Sequence, residues 1–153
     1  MGLLQAYALV ATGVRIIATH ASSGTGGGAG GGARATVVST QGAPSVRDNV
    51  VAVFGAKAAE GLEPLPAGDA ANAIPGLPAG ASIAGWVSRA AAPGRAGGDR
   101  QFFFVNGRPV DLPKAAKVLN EAFRALSSPA AAAAKPTAVI DIRCGSWGSR
   151  GAA

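Results

Sequence analysis

The sequence predicts an α+β domain with a single sheet and helices packed on it. Segments with the helical period of apolar residues alternate along the chain with short β-branched or aromatic segments typical of strands. The chain has 153 residues, which is the usual length of one domain. The hydrophobic fraction is 48%, but 36 residues are alanine, so we expect a modest core formed by the larger side chains.

The first half of the chain predicts a helix, two strands and a second helix, over residues 3–12, 14–19, 34–40 and 45–54. Gly13 ends the first helical pattern, and Ser45 and Gly55 are the expected N-cap and stop of the second, with Asp48 in its first turn. The SSGTGGGAGGGA tract at 22–33 leads into a strand, whereas a phosphate-binding loop would lead into a helix. This tract therefore predicts a hairpin-loop insertion.

The second half predicts strands over residues 62–65, 82–89, 99–105 and 137–142, and a helix over 114–126. Residues 66–80 are rich in Pro, Ala and Gly and are interpreted as a solvated insertion. Asn106 and Gly107 follow the most apolar strand and form a dipeptide that favours a tight hairpin turn. The domain is expected to cover residues 1–144, with 145–153 as a tail.

The charge balance favours a polyanionic partner. Lys and Arg total 14 against 8 acidic residues, which gives a net charge of +6, and the isoelectric point is near 10.5. Charge informs on partners and solubility rather than on fold, and small basic domains without acidic partners are common. The charge alone therefore does not decide whether the chain binds a polyanion.

The chain offers no catalytic constellation. Cys144 and His20 are its only cysteine and histidine, which excludes an internal disulfide and a multi-cysteine zinc site. His20 is interpreted as an exposed residue near a strand end. The carboxylates are scattered without a paired motif, so we expect no catalytic activity, cofactor or metal in this chain alone.

Residues 3–19 do not predict a membrane span or a signal peptide. The segment contains Gln5, Gly13 and Arg15 and is shorter than the roughly 20 residues that a spanning helix needs. It also lacks the basic start of a secretory signal. We therefore expect an intracellular protein without membrane contact.

The block DRQFFFVNGRPVD at residues 99–111 carries the main candidate site. Its turn is expected to project Arg108, and Arg100 lies at the base of the strand. Together with Arg89 and Arg95, these side chains predict a basic rim that contacts phosphates of DNA. An ordinary hairpin with solvated arginines explains the same residues equally well, so the chemistry alone leaves both readings open.

This block resembles the DRQFF-hydrophobic-N-x-R-P segment of PMS-type MutL homologues, which act in DNA mismatch repair. The resemblance extends from residue 3 to residue 144, apart from 22–33 and 66–80, through LLQAYALVATGVRIIATH, VVSTQGAPSVRDNVVAVFGAKAAEGLEPL, GWVSRA, KAAKVLNEAFRAL and TAVIDIRC. It implies the transducer domain of that family, with a fold similar to ribosomal protein S5 domain 2. It also implies a nuclear location, a basic surface for DNA, and a second MutL homologue as heterodimer partner. Arg108 matches a family position implicated in DNA binding.

The sequence departs from the family at the nucleotide site. The resemblance implies a preceding ATP-binding domain with a Glu/Asn metal-binding helix, a D-x-G-x-G loop and a G-F-R-G-E-A segment, none of which occurs here. The family's N-V-x-P-x-K segment is replaced by GSWGSRGAA after Cys144. We therefore expect a fragment that is not an ATPase alone and does not hold the ATP and Mg of the longer family members. The alternatives are an S5-like RNA or ribosome-binding module and an inactive truncated gene product.

Overall fold

The computed structural model describes residues 2–21, 34–65, 80–89, 100–128 and 134–144. The predicted tract at 22–33, all but the last residue of the 66–80 insertion, Arg95 and the 145–153 tail lie outside the described residues. The elements are α1 (Leu3–Val10), β1 (Ile17–Ala21), β2 (Arg34–Ser39), α2 (Val46–Phe54), α3 (Ala56–Ala59), β3 (Leu62–Pro64), β4 (Ser82–Ser88), β5 (Gln101–Val105), β6 (Arg108–Val110), α4 (Pro113–Leu126) and β7 (Ala138–Arg143). The predicted α+β class is confirmed. These elements belong to two compact units, Met1–Ala58 and Ala59–Ala153.

The first unit pairs β1 with β2 and packs α1 near α2. The two strands are antiparallel, from Ile17 opposite Ser39 to Ala21 opposite Arg34. Leu9 and Val50 are fully buried, and the buried Asn49 side chain joins the two helices because its Nδ2 donates to the Leu9 carbonyl at 3.2 Å. The unit thus has its own small core.

The capping residues of α2 lie where the sequence predicts them. The Ser45 hydroxyl accepts a hydrogen bond from the Arg47 amide at 3.1 Å, which satisfies one free N–H of the first turn. Gly55 follows the last helical residue with a φ of 85°, a conformation that favours glycine. Both helix boundaries are therefore confirmed.

The first strand begins later than the sequence predicts. The pattern indicated residues 14–19, whereas β1 covers Ile17–Ala21. The Thr40 hydroxyl accepts a hydrogen bond from the Ile16 amide at 3.1 Å and donates to the Val14 carbonyl at 3.2 Å. The backbone before β1 thus bonds to both the side chain and the backbone amide of Thr40, which lies just beyond the end of β2.

The second unit contains a mixed five-stranded sheet in the order β3, β4, β7, β5, β6. β5 and β7 are parallel, and the other neighbouring pairs are antiparallel. The core residues of β5, β7 and α4 are buried: Phe102, Phe103, Phe104, Val139 and Phe123. The two edge strands are three residues long, and each contains a proline, Pro64 in β3 and Pro109 in β6.

Within the described residues the strands form a two-stranded and a five-stranded sheet, whereas the sequence predicted a single sheet. The ladder bonds of β1 run to β2, and those of β3 to β7 run among themselves. Apolar alternation indicates that a segment is a strand and which face is buried, but it carries no information on the partner strand. The sequence pattern also missed β6 and α3, which have three and four residues.

Candidate nucleic-acid interface

The Asn106–Gly107 turn joins β5 to β6 in the tightest hairpin form. Val105 pairs with Arg108, so two residues make the connection. Asn106 and Gly107 have φ angles of 49° and 75°, and positive values at both positions are what a type I′ turn requires. The predicted tight turn is confirmed, and Arg108 is the first residue after it.

Three hydrogen bonds fix this turn to the end of β7. The Asn106 amide donates to the Ile142 carbonyl, the Gly107 amide donates to Asp141 Oδ1, and the Cys144 amide donates to Asn106 Oδ1, each at 3.0 Å. A turn held by both backbone and side chains loses little conformational freedom when a ligand binds. The turn is therefore a preorganised platform for the residue that follows it.

Arg108 is exposed on this platform. Within the part of the chain that the structure describes, its guanidinium has no ion-pair partner. A guanidinium carries five N–H donors in a planar fork that matches pairs of phosphate oxygens. The geometry thus leaves an exposed cation, on a fixed backbone, for an anionic ligand.

Arg100 lies at the opposite end of β5. In the register of β5 with β7, Gln101 faces Ala138, whereas Val105 faces Ile142. Five residue steps separate Arg100 from Val105, which is about 17 Å at 3.3 Å per residue. Arg100 is half-buried, and its carbonyl accepts a bond from the Ala138 amide. The structure therefore does not bring Arg100 and Arg108 together on one rim.

Arg89 lies at the same end of the sheet as Arg100. It follows β4, whose Val87 pairs with Ala138, and its exposed side chain forms an ion pair with Glu63. The nearby carboxylate offsets its charge. The fourth predicted residue, Arg95, lies outside the described residues.

Arg143, which the sequence reasoning missed, lies at the sheet end that carries Arg108. It ends β7, its side chain is 69% exposed, and its Nε donates to Asp141 Oδ2 at 3.2 Å. The parallel register between β5 and β7 places Ile142 beside Val105, which itself pairs with Arg108. This neighbourhood depends on strand order, for which the sequence offered no signal.

Other candidate chemistry is sparse in the described residues. Across the described ranges, no group of three or more His, Cys, Asp or Glu side chains could hold a metal ion. His20 is exposed in β1, as predicted, and Cys144 is an exposed free thiol. None of the described helices is both long enough and apolar enough to cross a membrane.

Comparison with known proteins places the chain in a family. Residues 50–145 match the model for the DNA mismatch repair protein, C-terminal domain, and this match covers more than half of the chain. The chain belongs to the DNA mismatch repair proteins of the PMS-type MutL family. The matched range includes the hairpin, the β7 end that fixes it, and both Arg108 and Arg143.

Relatives of this mismatch repair family align over most of the chain. DNA mismatch repair protein PMS1 of Arabidopsis thaliana is 35% identical over 84% of this chain and 12% of its own length. Mismatch repair endonuclease PMS2 is 39% identical in Gallus gallus and 34% identical in Homo sapiens, in both over 79% of this chain and 14% of that protein. The chain thus spans about an eighth to a seventh of the length of these curated relatives.

A solved structure supports the fold. The crystal structure of the N-terminal domain of a DNA repair protein matches with a TM-score of 0.72 and 24% sequence identity. The match covers 92% of this chain and 40% of that one. The likeness is consistent with the S5 domain 2-like α+β fold that the sequence resemblance implied.

Proposed function

We propose that this chain binds DNA through the phosphate backbone, with Arg108 as a central contact. The observation that supports the proposal most is the placement of Arg108 directly after a turn with three hydrogen bonds to Asp141, Ile142 and Cys144. Its exposure and the absence of an ion-pair partner among the described side chains leave the guanidinium available. The net charge of +6 favours the approach of a polyanion.

Phosphate contact is favoured over base reading by the shape of the surface. Base reading in the major groove generally uses a helix or a two-stranded ribbon with several side chains directed at base edges. The exposed cations of α4 are Lys114, Lys117 and Arg124, and Lys117 lies 4.0 Å from Glu121. A single arginine beside a turn suits a phosphate, so binding should be indifferent to sequence.

The proposal extends to the cellular role through the family. PMS-type membership supports action in mismatch repair, in the nucleus, as a transducer domain beside a second MutL homologue. The DNA-binding surface would then serve to hold DNA while other domains carry out the reaction chemistry. ATP and Mg would be held outside the residues of this chain.

The test compares Arg108→Glu with Arg124→Glu, a second exposed arginine of the same unit. Both substitutions change the net charge by the same amount. We expect the wild-type chain to bind a 20-base-pair duplex with a Kd of about 10⁻⁴ to 10⁻⁶ M at physiological salt, independently of sequence. Arg108→Glu should weaken binding to every sequence and reduce the salt slope by about one unit.

Fluorescence anisotropy with labelled duplexes at several salt concentrations measures both quantities. Equal weakening by Arg108→Glu and Arg124→Glu would show that Arg108 has no special position. Stronger binding to an RNA hairpin than to DNA would favour an RNA-binding module instead.

A further inference from the structure

The sheet end that carries Arg108 holds a second exposed arginine. Arg143 closes β7, and its side chain is 69% exposed. Ile142, its neighbour in the strand, lies two strands away from Arg108, with Val105 between them. Two strand spacings of about 4.8 Å place the backbones of these two strands about 10 Å apart. Arg143 follows Ile142 in β7, so its side chain leaves the sheet on the face opposite to that of Arg108. From the same end of the sheet, two long side chains on opposite faces can contact different phosphates of a DNA strand that crosses this end.

Asp141 contacts both parts of this surface. Its Oδ1 accepts the Gly107 amide at 3.0 Å, and its Oδ2 accepts Arg143 Nε at 3.2 Å. The Asp141 side chain is only 14% exposed, so the carboxylate is shielded from solvent while both of its oxygens are used. One side chain thus orients the turn that precedes Arg108 and the guanidinium of Arg143.

The bond to Asp141 leaves Arg143 able to bind an anion. A guanidinium has five N–H donors, and the described bond uses one of them, the Nε–H. Arg89 is a useful contrast, because its Nε also bonds to a carboxylate but it lies at the other end of the sheet. Position, rather than the presence of an ion pair, therefore separates the two arginines.

We propose that Arg143 is a second phosphate-binding residue and that Asp141 is the positioning residue for both arginines. The proposal rests on the proposed DNA binding through Arg108. Arg143 and Arg108 contact neighbouring phosphates from one rigid sheet end. Asp141 does not contact DNA, and it holds the turn and the Arg143 guanidinium in place before the DNA arrives.

The first experiment measures binding of the 153-residue chain to a labelled 20-base-pair duplex for Arg108→Gln, Arg143→Gln, the double variant and the control Arg89→Gln. Each phosphate contact contributes about 0.9 to the slope of log K against log salt. We expect each of the first two variants to bind roughly tenfold more weakly at 0.1 M salt, with a salt slope reduced by about one unit. The double variant should lose about two units, and Arg89→Gln should match the wild type.

The outcomes separate this inference from the function on which it rests. Absence of salt-dependent binding by the wild type would overturn both proposals. Weakening by Arg108→Gln together with wild-type binding by Arg143→Gln would overturn the second contact alone. Equal weakening by Arg143→Gln and Arg89→Gln would also overturn it, since the loss would then follow net charge.

The second experiment tests the positioning role by comparing Asp141→Asn with Asp141→Ala. Both variants remove the same negative charge, but only asparagine retains an oxygen that can accept the Gly107 amide. We expect the alanine variant to bind DNA several-fold more weakly than the asparagine variant. This difference should disappear in an Arg108→Gln background, because the turn then positions no cation.

A thermal unfolding curve of each variant accompanies these measurements. Equal DNA affinity of Asp141→Asn and Asp141→Ala would overturn the positioning role. A difference that persists in the Arg108→Gln background would assign Asp141 a general structural role instead.

Discussion

A methyl group on Gly85 would collide with the neighbouring strand. Gly85 has a φ of 151° and pairs with Ile140 of β7 in the middle of the sheet. A Cβ built at this position would lie 2.9 Å from the Ile140 Cα and still closer to the Val139 carbonyl oxygen. We expect Gly85→Ala to reduce the free energy of unfolding by about 3 kcal/mol, because a strained φ and a backbone clash add together.

Gly80→Ala is the matched control for Gly85→Ala. Gly80 has a φ of 78°, but a Cβ there would meet no atom of the described residues within 4 Å. This variant should therefore lose only about 1 kcal/mol, the cost of an unfavourable φ for alanine. Urea unfolding followed by circular dichroism measures both losses, and similar midpoints for the two variants would contradict the clash.

Single residues with a strong local preference were the most predictable part of the chain. Ser45 and Gly55 have the preferred cap chemistry, and Asn106 and Gly107 tolerate the positive φ angles that a two-residue turn needs. Gly85 carried no such signal, because its role depends on how close a strand distant in sequence approaches. The residue types alone therefore predicted the turn. The close approach of β7 to Gly85 could be recognised only in the structure.

At the scale of the element, α4 buries one large side chain. The sequence pattern placed Phe123 and Leu126 on the same apolar face, but Phe123 is 5% exposed and Leu126 is 78% exposed. Leu126 is the last residue of the helix, where the chain turns away at Ser127. We expect Phe123→Ala to cost about 3 to 5 kcal/mol and Leu126→Ala well under 1 kcal/mol.

Thermal denaturation of the two variants measures this contrast. The helix itself should form in both, because alanine is the best helix former. A large loss of stability in Leu126→Ala would show that the helix end is packed against another surface.

Elements with a long regular pattern could be predicted, and short ones could not. The helix expected over residues 114–126 is observed as Pro113–Leu126. β6 has three residues and contains Pro109, which removes a backbone N–H and counts against a strand in any pattern. β6 forms because the fixed turn brings the chain back alongside β5, so it depends on tertiary contacts rather than on its own sequence.

At the scale of the whole molecule, the strand order decides which charges are neighbours. The sequence grouped Arg108 with Arg100 because both lie in one short block. The register of β5 with β7 separates them along the strand and places Arg143 near Arg108 instead. Arg108 and Arg143 are 35 positions apart in the sequence. The parallel pairing of β5 with β7 that brings them to one sheet end cannot be recognised from the local pattern of apolar residues.

We expect no ATP hydrolysis by this chain alone. None of the nucleotide-binding segments expected from the family resemblance occurs in the 153 residues. We therefore expect the purified chain to release no phosphate from ATP above a blank, with or without Mg. A phosphate-release assay checks this expectation, and turnover that scales with protein and survives repurification would contradict it.

A proline in each edge strand of the five-stranded sheet limits the addition of a further strand. A strand at the rim of a sheet presents backbone N–H and C=O groups on which another chain can continue the ladder. Pro64 and Pro109 each lack an N–H, and the strands that contain them are three residues long. A foreign strand would therefore find few bonding positions on either side. Each edge of this sheet is therefore a poor template for strand addition and aggregation.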